Sequence, residues 1–163
     1  MTAAQPEIWF YHLETLALAQ ALPDLLEKVA GRGWRAYVHC PDASEDQANS
    51  HQDDKIAVLD RQLWAYAPAS FLAHGREDEA FAERQPVLLG RTGGMANAPQ
   101  VYVSVGAGDL PDLNGLERAL IVFEGSDEGH LTWARTQWKR MKSEGLALAY
   151  WKQSPQGRWE KVQ

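Results

Sequence analysis

From Ala119 to Phe123 the chain reads Ala-Leu-Ile-Val-Phe without a polar interruption, and Glu124 follows. Successive side chains of a strand point to opposite faces, so an unbroken apolar run must be covered on both sides. That requirement calls for a layer above the sheet and another below it. Helices packed on both faces of a mostly parallel sheet meet it. The rest of the chain alternates to suit. Glu7-Ile-Trp-Phe-Tyr-His-Leu13 is rich in β-branched and aromatic residues and reads as a first strand. Leu16 to Arg32 carries Leu18, Leu22, Leu25, Leu26 and Val29 at helical spacing. Pro23 within it is expected to kink or restart the helix, with Asp24 near the new start; Gly31 and Gly33 close it. Arg35 to Cys40 is a second strand, so the first forty residues suggest a parallel βαβ unit.

Pro41 to Gln52 is polar and reads as loop. Asp54 to Tyr66 places Ile56, Leu59 and Leu63 on one helical face, with Asp53 or Asp54 as cap. Phe71 to His74 reads as a short extended piece, and Arg76 to Gln85 as short helix or loop. Pro86 to Gly90 and Gln100 to Val105 are strands, separated by the glycines and asparagine of residues 91–98. After the Ala119–Glu124 strand come a basic helix from Asp127 to Glu144, ended by Gly145, and a strand from Leu146 to Trp151. Arg158 to Val162 pairs back at the sheet edge after the Ser154-Pro-Gln-Gly157 turn. The expectation is a single α/β domain over residues 1–163, three-layered α/β/α with a mostly parallel sheet.

A chain of 163 residues supports one sizeable core, and 45% hydrophobic with 23% charged residues is an ordinary globular balance. No apolar run approaches the roughly 20 residues that span a bilayer. The N-terminal residues show neither a basic nor an apolar leader region, and the single Cys40 excludes an internal disulfide. These features point to the cytoplasm and away from membranes. The net charge of -6 is unevenly spread. Residues 130–163 hold seven Lys or Arg against two Glu, so residues 1–129 hold nine basic against twenty acidic. An acidic body disfavours wrapping nucleic acid, whereas the basic C-terminal region suits an anionic ligand or peptide.

Few patterns carry chemistry. His39, Cys40 and Asp42, with His51, Asp53 and Asp54, have zinc-ligating atoms, but the spacing fits no standard site, and His39 and Cys40 point to opposite faces of a strand. Cys40 reads as a buried structural residue. Gly106-Ala-Gly108 follows a strand as a dinucleotide loop would, yet Pro111 replaces the third glycine, and Asp109 and Asp112 repel phosphate. Arg91-Thr-Gly-Gly94 lacks the Gly-Lys-Ser/Thr ending of a phosphate loop. A small nucleotide-binding α/β enzyme using the Gly106–Gly108 turn is retained as an alternative. No cofactor or metal is implied.

The basic helix is the stronger feature. At about 100° per residue, Leu131, Ala134, Trp138, Met141 and Gly145 share the buried arc, and Arg135, Lys139 and Lys142 fill the adjoining one. Trp138 stands at the border of core and charge. Spacing alone also fits a solvated face with a snorkelling rim. A second cluster, Trp64, Phe71 and His74, gathers around Pro68. It either covers the sheet edge or forms a protein-binding patch. Seven tryptophans in 163 residues raise the case for an exposed aromatic surface without locating it.

Leu59-Asp-Arg-Gln-Leu63-Trp64, then Pro68, Ser70-Phe71 and His74, resembles the signature of the chi subunit family of bacterial DNA polymerase III. Phe10-Tyr11-x-Leu13 fits as well, as do Ala134-Arg135-x-x-Trp138-Lys139, Gly145 and Tyr150-Trp151. The resemblance implies a non-catalytic accessory subunit of the clamp-loader complex. It would bind the acidic, Phe-ending C-terminal tail of single-stranded DNA-binding protein and, where one exists, the psi subunit. Single-stranded DNA would be met only through its binding protein. Carried over residue by residue, the tail pocket would use Trp64, Arg135, Trp138 and Lys139, with Lys142 extending the strip. The psi contact would use Pro68, Phe71, Leu72 and His74. Trp138 stands where the family carries a tyrosine. Physically, such a tail needs cationic donors for its carboxylates and an apolar slot for its ring. Trp64 and Trp138 are expected to wall that slot from opposite sides.

Overall fold

In the computed structural model, which describes residues 5–41, 55–66 and 72–163, eight strands form one sheet. The order along the chain is β1 (Glu7–Leu13), α1 (Leu18–Gly31), β2 (Ala36–His39), α2 (Lys55–Ala65), β3 (Gly75–Arg76), β4 (Val87–Gly90), β5 (Val101–Ser104), β6 (Arg118–Glu124), α3 (Glu128–Ser143), β7 (Leu148–Gln153) and β8 (Trp159–Lys161). The spatial order is β3-β4-β2-β5-β6-β1-β7-β8. Every neighbouring pair is parallel except the antiparallel β7–β8 hairpin. The expected three-layer α/β architecture is present. Pro68, Phe71, Asp42, His51, Asp53, Asp54 and most of the 41–52 loop lie outside the described residues.

Strand alternation sorts the core into two layers. Tyr11, Leu13, Val38, Val103, Leu120 and Val122 face one way and meet Leu22, Leu25 and Leu26 of α1 and Ile56, Leu59 and Leu63 of α2. Ile8, Phe10, Tyr37, Tyr102, Ile121 and Phe123 face the other way and meet Ala134 and Met141 of α3. The unbroken run from Ala119 to Phe123 is buried throughout, because both layers press on it. β1 and β2 are parallel but not adjacent: β6 and β5, which come later in the chain, lie between them.

Two local readings change, and a third is made definite. α1 is one uninterrupted helix with Pro23 buried inside it. A proline at the sixth helical position lies beyond the first turn, whose N–H groups have no partner anyway, and so forfeits one i→i−4 bond. The buried leucines around it offset that loss. Residues 72–74 form no strand, and the paired segment is Gly75–Arg76 instead. From Glu77 to Gln85 the chain follows the expected short helix or loop, as turns and a single 3-10 turn at Ala82–Arg84.

The β1–α1 connection is held by the end of the neighbouring strand β7. The Gln153 side-chain oxygen at the end of β7 accepts the backbone N–H of Glu14, Thr15 and Leu16, each at 3.0 Å. Thr15 Oγ1 donates to the Ser154 carbonyl at 2.7 Å. Outside the carboxyl ends of parallel strands, such N–H groups commonly receive a ligand's phosphates. Here a side-chain amide occupies them.

Candidate functional site

α3 begins where Asp127 Oδ1 accepts the His130 N–H at 3.0 Å, an N-cap that satisfies one of the helix's open donors. Glu128 in the first turn and Arg140 and Lys142 in the last complement the helix dipole. Gly145, with φ of +78°, turns the chain out of the helix. Ala134 and Met141 are buried, and Leu131 and Trp138 pack partly buried against the same core. Arg135, Lys139 and Lys142 are exposed. Arg140, on another side, is neutralised by Glu144 at 3.1 Å and held by Gln137 at 2.9 Å. Arg135, Lys139 and Lys142 make no ion pair among the described residues.

Beneath the strip lies a cavity of about 240 Å³. Phe10 and Tyr150 are register partners on β1 and β7 and form its floor with Phe123 of β6. Trp138 walls it, edge-to-face with Phe10 at 5.2 Å and with Tyr150 at 5.6 Å. Arg135 and Lys139 stand at its rim. Cationic donors are thereby placed at the mouth of an aromatic slot.

Tyr150 Oη shares a 2.6 Å hydrogen bond with His12 Nδ1. Burial holds the His12 imidazole below its usual value, Glu14 opposes this, and Lys152 and Arg135 add to it. His12 is therefore neutral at pH 7 and anchors the Tyr150 ring without adding charge. Burial pushes the Tyr150 hydroxyl up while Arg135 opposes that shift. Arg135 thus faces two neutral polar groups and keeps its charge for a ligand.

Trp64 is not the opposite wall. It sits on α2, whose buried residues belong to the α1-side core, whereas α3 packs on the other face of the sheet. α2 neighbours β3 and β4, and α3 neighbours β6 and β7. A helix on one face cannot complete a slot on the other, so the one-pocket expectation fails for topological reasons. Trp64 is 52% exposed and lies 4.4 Å from the His74 ring, centroid to centroid. With Asp60, Glu79 and Gln85 they line a cavity of about 150 Å³.

Of the residues assigned to the psi contact, Leu72 and His74 are buried, at 5% and 6% exposure. His74 Nδ1 meets the Leu72 carbonyl at 2.8 Å and Nε2 meets Asp60 Oδ1 at 2.8 Å. They support the surface on which Trp64 stands and do not themselves form it. Lys142 continues the charged strip but does not line the slot.

The remaining sequence candidates that lie among the described residues are absorbed by packing. His39 is buried, with Nδ1 on Tyr102 Oη at 2.5 Å and Nε2 on the Arg91 carbonyl at 3.0 Å. Cys40 is buried in the α1-side core. The Gly106–Gly108 turn is closed: the Gly108 carbonyl accepts the Trp133 indole N–H at 3.1 Å, and a Cβ at Gly108 would meet Pro41 at 2.7 Å. Sequence reasoning missed Phe10, Phe123 and Tyr150 as slot residues. Alternation gives each one's face, but only the adjacency of β7, β1 and β6 brings them together.

Among individually curated proteins none matches this chain. The sequence profile of the family described as DNA polymerase III chi subunit, HolC, matches residues 6–149. That span contains every strand from β1 to β6, all three helices, and Trp64, Arg135, Trp138 and Lys139. The chain belongs to the DNA polymerase III chi subunit family.

Proposed function

We propose that this chain is a non-catalytic, cytoplasmic accessory subunit that ties the polymerase's clamp-loader complex to single-stranded DNA-binding protein. It does so by taking that protein's acidic, Phe-ending tail into the α3 slot. The observation that carries the reading is the pair of exposed cations, Arg135 and Lys139, over the Phe10–Phe123–Tyr150 floor. The tail's terminal ring enters beside Trp138, its carboxylate meets the Arg135 guanidinium, and Lys139 supplies a second positive charge. Family membership supports the accessory role. No helix among the described residues is long and apolar enough to cross a membrane.

The second surface, Trp64 backed by His74, is proposed for the psi subunit where one exists. It carries an exposed aromatic ring on a buried, hydrogen-bonded support, the pattern of a protein-binding anchor. The nucleotide-enzyme alternative loses ground, because the Gly106–Gly108 turn is packed by Pro41 and Trp133.

The test is titration of the protein with a labelled tail peptide. Weak binding that falls with salt is expected. Arg135→Ala combined with Lys139→Ala weakens it about five- to thirtyfold, as two exposed charge contacts of up to about 1 kcal/mol each imply. Unchanged affinity in the double variant would overturn the slot.

A further inference from the structure

Four of the seven tryptophans gather on the face of the sheet away from α3. β1 and β7 each divide their aromatic residues between the two faces: Phe10 and Tyr150 go to the α3 slot, and Trp9 and Trp151 go behind the sheet. There, Trp9, Trp34, Trp151 and Trp159 line a half-open cavity of about 460 Å³ between the C-terminal end of α1 and the β7–β8 hairpin. That volume lies within the range of small-molecule sites. It belongs to neither surface described above.

The cavity's charge has one sign. Lys28, Arg32 and Arg118 line it, and no carboxylate or carboxamide side chain does. Lys28 and Arg32 are exposed and make no ion pair among the described residues. Arg118 lies 3.9 Å from the Trp9 ring centroid and 5.8 Å from that of Trp34. Its only ion pair among the described residues is a long 3.7 Å contact with the exposed Glu7. Two donors in this lining, Arg118 Nε and Trp151 Nε1, are buried without a hydrogen-bond partner.

The geometry points to a nucleotide site: a planar base lying among the indole rings, with its phosphate on Arg118, Lys28 and Arg32. A phosphate presents only acceptors and negative charge, which is what this lining lacks. A peptide segment fits worse, because its own N–H groups would meet no side-chain carboxylate or carboxamide. Stacking on tryptophan is tolerant of base identity, and the cations track the phosphate. The acidic body weakens long-range attraction, but charges beyond about 10 Å are screened at 0.1 M salt, so contact groups decide. The same chemistry is offered by a free nucleoside monophosphate and by one residue of single-stranded DNA. This site does not depend on the tail-binding reading.

The experiment is calorimetric titration of the intact chain with dTMP, with an eight-residue oligothymidylate and with thymidine. One saturable site for dTMP or the oligonucleotide is expected, with thymidine at least about tenfold weaker. Similar affinity for dTMP and the oligonucleotide identifies a free-nucleotide site; a much tighter oligonucleotide identifies a strand site. Trp34→Leu, which loses one stack, and Lys28→Gln with Arg32→Gln, which loses two exposed charges, each weaken binding about tenfold. The double-glutamine variant carries the test if Trp34→Leu does not fold. Arg135→Ala leaves nucleotide binding unchanged, which separates this cavity from the α3 slot. No saturable binding, binding indifferent to both pocket variants, or binding lost with Arg135→Ala overturns the proposal. So does an acidic Phe-ending peptide that occupies this cavity in place of the nucleotide.

Discussion

Trp138→Leu and Trp64→Ala are expected to part company, and the structure sets the size of the gap. Trp138 makes two edge-to-face contacts, with Phe10 at 5.2 Å and Tyr150 at 5.6 Å. Such pairs contribute about 0.5–1.5 kcal/mol each, so leucine loses about 1–3 kcal/mol of stability. For a chain of this size that lowers Tm by about 3–10 °C. The variant also removes the wall against which a tail's terminal ring would pack. About 50 Å² of lost apolar contact at about 25 cal/mol per Å², plus one aromatic pair, weakens peptide binding by about twenty- to hundredfold. Trp64 is 52% exposed, and its ring lies 4.4 Å from that of His74 on the other face of the sheet from the slot. Its alanine variant is expected to bind the tail peptide as the parent does. The assays are a thermal melt and fluorescence anisotropy with a labelled acidic, Phe-ending peptide. If Trp64→Ala weakens the peptide as much as Trp138→Leu, the two-face description of the sites is wrong.

Gln153→Leu leaves the N–H groups of Glu14, Thr15 and Leu16 without their acceptor and is expected to cost about 2–4 kcal/mol in denaturant unfolding, whereas Gln153→Glu, which keeps the oxygen, costs less. Gly90→Ala drives a Cβ into the Tyr37 hydroxyl and the Glu77 carboxylate, an overpacking that costs about 1–3 kcal/mol by the same measurement. Burial alone would raise the Glu77 carboxyl, but hydrogen bonds from the Thr92 and Arg91 N–H groups and the Tyr37 and Thr92 hydroxyls outweigh it and hold the group below the usual carboxylate range. Its contribution is therefore complete above the unfolded carboxylate value and is lost as pH falls through the folded one. Unfolding measured from pH 7 down to pH 3 should show Glu77→Gln less stable than the parent at neutral pH, with the difference closing in acid; a constant difference refutes the assignment.

The layers of the fold were legible because their causes are local. An apolar run without alternation states that both faces are covered, and the helical spacing of Leu18 to Val29 states what covers one of them. Pro23 does not break α1, because the buried leucines on either side of it outweigh the one i→i−4 bond that it forfeits. The slot was half legible. Arg135, Trp138 and Lys139 share one helix, and a period of 3.6 residues is enough to align them. Phe10, Phe123 and Tyr150 come from three strands that are adjacent only because β7 joins β1 on the side opposite β6. No short-range pattern carries that order. Trp64 shows the converse error: a residue in a recognisable motif was assigned to the same pocket as another motif, though strand order puts the two helices on opposite faces.

The register between β1 and β7 therefore decides more than packing. Phe10 pairs with Tyr150, and Tyr11 pairs with Trp151. The first pair floors the α3 slot, and the second lines the cavity behind the sheet, where their rings stack at 6.4 Å and 13°. A slip of one residue would send every side chain of β7 to the other face, placing Tyr150 behind the sheet and Trp151 under Trp138. Both surfaces would fail together. The β7–β8 hairpin is the outer edge of the sheet and the least covered part of it, yet its register is pinned inward by the Gln153 bonds to the β1–α1 connection. Those three bonds lock β7 along its length from one end. A Gln153→Leu variant thus tests more than stability: tail-peptide binding at the α3 slot and tryptophan fluorescence of the opposite face should change in step. A variant that loses one and keeps the other would show that the two faces do not share this register lock.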